Sequence, residues 1–196
     1  EELGLGGLYL KDESARLGLP AFKVLGAWWA GYRLLSDRLG HAPRDWRGVD
    51  ELAAAFAPLR PLTLCAATDG SHGRAVARFA RLMRLEALIF VPSFVAAPRI
   101  QAIRAEGARV ETVEGILEDA LEAAKAAASA RCLLLSDEAW PGYEVVPAWV
   151  TDGYSTMFWE IDDRLEETRR PGPDVVLVQM GCGALASAAV LHYRRP

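Results

Sequence analysis

LTLCAATDGSHGRAVARFARLMRLEALIFVP, residues 62–92, decides the fold. The opening LTLCAA (62–67) is β-rich, TDGSHG (68–73) is a glycine turn, GRAVARFARLMR (73–84) repeats apolar residues at spacings of three and four, and ALIFVP (87–92) is β-rich again. The order is strand, turn, helix, strand. It continues through RIQAIRAEG (99–107), ARVETV (108–113), ILEDALEAAKAAASA (116–130) and CLLLS (132–136). This alternation predicts an α/β protein with open, mostly parallel sheets, right-handed crossovers and ligands gathered at the carboxyl ends of strands.

Composition narrows the function classes. At 196 residues and 52% hydrophobic, the chain is long enough to bury a substantial core. A net charge of −4 argues against nucleic acid as a partner, since displacing counterions from phosphates needs a basic stripe. Cys65, Cys132 and Cys182 lack a CxxC, and His41, His72 and His192 have no ligand spacing, so no metal is expected and the thiols are expected reduced. Val175 to Tyr193 is uncharged, but Gln179, Gly181, Gly183, Ser187 and His192 interrupt it, which favours a strand, turn and helix over a membrane span. No signal-peptide pattern is present, and with Glu1 at the start the native N-terminus is expected to lie elsewhere. GHAPRDWRG (40–48) and RRPGP (169–173) read as surface loops.

Two strand ends carry glycine turns that lead directly into helices: TDGSHG, and QMGCGALA (179–186) after DVVLV (174–178). Backbone N–H groups at such turns, with the positive end of the following helix, suit an anion. A plain connecting turn accounts for an isolated GxG equally well. GCGALA also matches G-x-G-x-x-G/A and so raises a nicotinamide-dependent oxidoreductase, but the acidic residue needed about 20 positions further on is not reached before Pro196.

PAFKVLGAWWAGYRLL (20–35) holds the one lysine in an apolar setting. With Pro20 opening a helix, Lys23 shares a face with Gly26, Ala27, Ala30 and Gly31, small residues that leave room for a flat ring. Desolvation favours the neutral amine that attacks an aldehyde. A lysine snorkelling from a buried helix is the bland alternative. Lys11 and Lys125, the other two lysines, lie in polar or amphipathic surroundings.

Taken in order, PAFKVLGA, TDGSHG, DEAWPGYEVVPAWVTDGYSTM (137–157) and GCGAL resemble the fold-type-II pyridoxal-phosphate enzymes, and most closely the diaminopropionate ammonia-lyases. The resemblance implies a two-lobed fold: residues 1–67 and 157–196 in a larger cofactor lobe, incomplete in this chain, and 68–156 in a smaller α/β lobe. It implies pyridoxal 5'-phosphate as cofactor, a small amino-acid substrate, no nucleic-acid or membrane partner, a homodimer and a cytoplasmic enzyme. By the same resemblance Lys23 binds the cofactor covalently, and Gly181, Cys182, Gly183, Ala184 and Leu185 cradle its phosphate. Ser71 replaces the asparagine that faces the phenolic oxygen, Asp69 is the base for the D-isomer as Lys23 is for the L-isomer, and Asp137 receives a substrate ammonium. The implied reaction is α,β-elimination of 2,3-diaminopropionate to pyruvate and ammonia.

Simpler accounts stand beside these roles. Asp69 suits a turn, Asp137 suits a helix N-cap, and Trp140, Tyr143, Trp149 and Tyr154 suit packing, with Tyr143 bordering a pocket. Ser71 is shorter than the asparagine it replaces and leaves that contact to water, and Ala184, where the family commonly has serine, removes a hydroxyl donor to the phosphate. A related serine or threonine dehydratase is the alternative within the class, and a cofactor-free pseudoenzyme or interaction module the alternative outside it. DVVLV is expected as a strand buried on both faces, with part of its surroundings supplied by residues after the ending YRRP.

Overall fold

The computed structural model describes residues 4–194; part of the ending YRRP lies outside them. Four parallel strands, β1 (Thr63–Ala67), β2 (Glu86–Pro92), β3 (Arg109–Val113) and β4 (Cys132–Leu134), form one sheet in the order β3-β2-β1-β4. Registers such as Cys65↔Leu88 and Cys65↔Leu134 place β1 at the centre. The 67/68 division drawn from sequence therefore passes through a hydrogen-bonded sheet, because β1 pairs with strands on the far side of it.

The period-2 pattern explains the two faces. Leu64, Ala66, Ile89 and Val91 point into the main core, packing with Ala75, Val76, Phe79 and Ala80 of α3 (Ser71–Leu82). Cys65, Leu88 and Phe90 point the other way, onto Ala120 and Ala124 of α5 (Leu117–Ala127). Each large apolar side chain so buried contributes about 1.5–3 kcal/mol. The edge strand β3 is half-exposed, and Arg109 and Glu111 pair along it.

Beyond α3, which also meets the short α2 (Val49–Ala55) and α4 (Ala97–Arg104), lie α1 (Lys23–Leu39) and α6 (Val145–Glu167), and α6 is in turn covered by α7 (Ala184–Tyr193). Pro20 does not open α1. Leu17 and Gly18 adopt left-handed conformations (φ 48° and 75°) that turn the chain and bury Leu19, so the helix begins only at Lys23. Nor do the small residues of α1 make room for a ring. A Cβ on Gly26 would lie 2.6 Å from both Tyr154 Cε1 and Val150 Cγ1 of α6, and one on Gly153 would lie 2.6 Å from Leu25 O and 2.8 Å from Gly26 Cα. The two backbones touch, and only glycine on each side allows it.

The expected strand at 174–178 is also absent. The segment has no regular secondary structure and pairs with neither sheet edge, and Val175 and Leu177 are 74% and 86% exposed. An apolar run becomes a strand only where neighbouring strands take up its N–H and C=O groups, and none of the described residues does so here. No helix among the described residues is long and apolar enough to cross a membrane.

Gly153→Ala should force α1 and α6 apart and cost about 1–3 kcal/mol in urea unfolding. Gly172→Ala, where an added Cβ meets nothing within 4 Å, should be nearly neutral.

Candidate active site at the head of the first helix

Lys23 is the first residue of α1, where the unsatisfied N–H groups already concentrate positive charge. An ammonium there needs a counter-charge, and Asp137 Oδ2 supplies it in a direct ion pair. Asp137 stands in the turn after β4, at the carboxyl end of the sheet. Tyr143 clamps that turn: its hydroxyl donates to Leu134 O (2.8 Å) and accepts from Ser136 N (3.1 Å), while its ring stacks on Trp140 at 4.3 Å. Tyr143 thus acts on the loop that carries the carboxylate.

Sequence reasoning weighed His72 only as a metal ligand, yet it belongs to the same cluster. Its ring is 4% exposed, Nε2 donates to Leu135 O at 2.9 Å, and Nδ1 stands 3.7 Å from Asp137 Oδ2 without a hydrogen-bond partner among the described residues. The available signal was position: His72 is the second residue of the helix that follows the TDG turn. Burial works against an ionised Asp137, but the fields of His72 and Lys23 outweigh it and hold the carboxyl below its ordinary value.

The second glycine turn arrives at the same carboxylate. Cys182 Sγ lies 3.7 Å from Asp137 Oδ2, and partial burial together with the Asp137 charge pushes the thiol pKa up, which keeps it protonated. Gly183 (φ 89°) caps α7, and a Cβ at Gly181 or Gly183 would meet nothing within 4 Å, so the loop stands open before a helix N-terminus. Ala184 is buried and Leu185 half-buried, both packed on the main core.

Asp69 and Ser71 are neighbours of this cluster without contacting it. Both are exposed, and they line a cavity of about 330 Å³ with Pro20, Ala21, Val24 and Arg74. The Asp69 carboxylate is 4.0 Å from Arg99 Nη1, which also donates to Asp69 O at 3.3 Å. The structure therefore joins Lys23, Asp137 and Cys182 directly and sets Asp69 and Ser71 on the adjoining turn, beside the residues that precede Lys23.

The model of the family described as pyridoxal-phosphate dependent enzyme matches residues 1–195. The chain belongs to that family. Within it, the chain is 34% identical over 203 residues to diaminopropionate ammonia-lyase of Salmonella typhimurium, covering 98% of this chain and 48% of that protein. The Escherichia coli diaminopropionate ammonia lyase, solved in complex with an aminoacrylate-PLP azomethine reaction intermediate, superposes with a TM-score of 0.81 at 32% identity, over 93% of this chain and 45% of that one. L-serine dehydratase/L-threonine deaminase of Rattus norvegicus is 30% identical over 155 residues, 77% of this chain and 39% of that protein. The chain spans about half the length, or less, of the relatives it matches.

Pyridoxal phosphate needs an amine for its aldehyde and an anion-binding loop for its phosphate, both within the span of one substituted ring. Lys23 Nζ and Cys182 Sγ meet the same oxygen of Asp137, which sets amine and glycine loop within that span. The residues present fit the family's cofactor.

Asp137→Asn should strip Lys23 of its counter-charge and cost roughly 1–3 kcal/mol at neutral pH. Because the folded carboxyl titrates below its ordinary 3.8, its contribution is complete above that value and is lost as the pH falls through the folded one. The gap between wild type and variant in urea unfolding should therefore close below about pH 4. A gap unchanged at pH 3 would show that the charge is not what stabilises the cluster.

Proposed function

We propose that this chain carries the central machinery of a pyridoxal-phosphate-dependent ammonia-lyase acting on 2,3-diaminopropionate, with pyruvate and ammonia as products. The observation that supports it best is the single cluster in which an amine, a carboxylate and a glycine turn meet at the carboxyl end of a parallel sheet. The likeness to diaminopropionate ammonia-lyase over 98% of the chain points to the same substrate.

In this reading Lys23 holds the cofactor and takes the α-proton of the L-isomer. Asp69, exposed on the neighbouring turn, takes it from the D-isomer. The backbone of Gly181, Cys182, Gly183, Ala184 and Leu185 cradles the phosphate, and Ser71 faces the phenolic oxygen. Bound there, pyridoxal phosphate supplies an electron sink for the charge left at Cα. Asp137 changes partner: once the Lys23 amine is engaged elsewhere, its carboxylate receives a substrate ammonium, and His72 remains beside it. The β-amino group leaves as ammonia, and the unsaturated amine left behind hydrolyses to pyruvate and a second ammonia. A two-lobed enzyme, with the parallel sheet in the smaller lobe, a homodimeric assembly and a cytoplasmic setting belong to the same reading.

Adding pyridoxal phosphate, reducing with borohydride and mapping peptides should place the label on Lys23 and lose it in Lys23→Ala. Label confined to Lys11 or Lys125 would sink the assignment. Pyruvate release from D- and L-diaminopropionate, serine and threonine, assayed in parallel on the intact protein, separates the ammonia-lyase from the dehydratase reading.

Asp69→Asn should lower elimination from the D-isomer roughly 100-fold while sparing the L-isomer and the borohydride label. Equal loss for both isomers would assign Asp69 to substrate binding or loop shape.

A further inference from the structure

Tyr154 is the largest fully buried side chain of the molecule, 0% exposed, and its hydroxyl has no hydrogen-bond partner among the described residues. A buried hydroxyl left unpaired is costly, and phenylalanine would fill the same space without that cost. The ring explains only half of the residue. Its edge lies against Gly26 where α1 crosses α6, and it meets Phe22 edge-on at 5.1 Å. Those contacts fix its direction and need no oxygen.

The face of the ring borders the candidate active site. Lys23 Nζ is 6.0 Å from the ring centroid. Burial, with the Asp137 charge added to it, pushes the phenol pKa well above its ordinary value, so it stays protonated and is available as a donor. The chain is otherwise short of side-chain donors here: Ala184 offers none at the head of α7, and Ser71 is exposed on the neighbouring turn.

We infer that Tyr154 is a cofactor-binding residue, its hydroxyl donating a hydrogen bond to an oxygen of bound pyridoxal phosphate. This rests on the cofactor reading above and adds a residue to it. Loading the site engages the Lys23 amine, whose Nζ lies over the Tyr154 ring, and the rearrangement that follows brings the unpaired hydroxyl its acceptor. The unspent hydroxyl is a cost carried by the unloaded protein and recovered on binding.

The test is Tyr154→Phe in the intact protein, read by equilibrium titration with pyridoxal phosphate, followed by absorbance, and by urea unfolding without cofactor. The variant should bind pyridoxal phosphate about tenfold more weakly, the effect of one hydrogen bond to a charged or polar acceptor. It should also unfold at an equal or higher urea concentration, because the unpaired hydroxyl is gone. Those opposite signs are what a merely structural tyrosine would not give. Unchanged affinity in the variant would overturn the inference and leave the cofactor reading intact. So would unfolding of the unloaded variant at lower urea than wild type, since the hydroxyl would then already have a partner in the fold. Failure of the wild type itself to bind pyridoxal phosphate would overturn both.

Discussion

The contact between Gly26 and Gly153 is the constraint on which the site depends. Two helices pressed backbone to backbone leave little freedom to slide, and interiors packed to crystal density pass such a restriction outward. Lys23 lies one turn before that contact on α1, and Tyr154 is the next residue after it on α6. The amine and the phenol are therefore positioned by a glycine pair rather than by each other. Phe79 applies the same logic on the other side, pressing against Gly31 and tying α1 to α3 and so to the sheet.

Electrostatics completes what packing begins. Asp137 is approached by Lys23 from α1, by His72 from α3 and by Cys182 from the turn before α7, so one carboxylate gathers three segments of chain. Tyr143 holds the backbone that leads into that carboxylate through two hydrogen bonds, to Leu134 and Ser136 just before it. The charge is shared among partners that each come from a different element.

The sheet was readable because its signal is local. Burial on both faces leaves unbroken apolar runs at 62–67 and 87–92, and the amphipathic spacing of 73–84 and 116–130 needs no knowledge of partners. Lys23 stood out through its isolation and Asp137 through resemblance. What escaped was relational. Pro20 has the chemistry of a helix start, but burial of Leu19 through the Leu17–Gly18 turn decides where α1 begins. The glycines of α1 are small for the sake of Tyr154, Val150 and Phe79, residues 48 to 128 positions away in the chain. DVVLV has the composition of a strand, and composition does not supply a neighbour. His72 and Tyr154 carry ordinary side chains whose significance lies in a nitrogen and an oxygen that no other described residue satisfies, a property visible only once everything around them is in place.

The topology also imposes an order of events. Lys23 and Asp137 are 114 residues apart, and β4, which delivers Asp137, is the last strand of the sheet in sequence although it lies beside the first. Loop-closure entropy makes such distant pairings late. During synthesis the residues of α1 are made well before the counter-charge of Lys23, and β1 has no partner for its second edge until residues 132–134 arrive. The candidate site is therefore completed late: Lys23 meets its counter-charge only once the segment that also supplies β4 has been made.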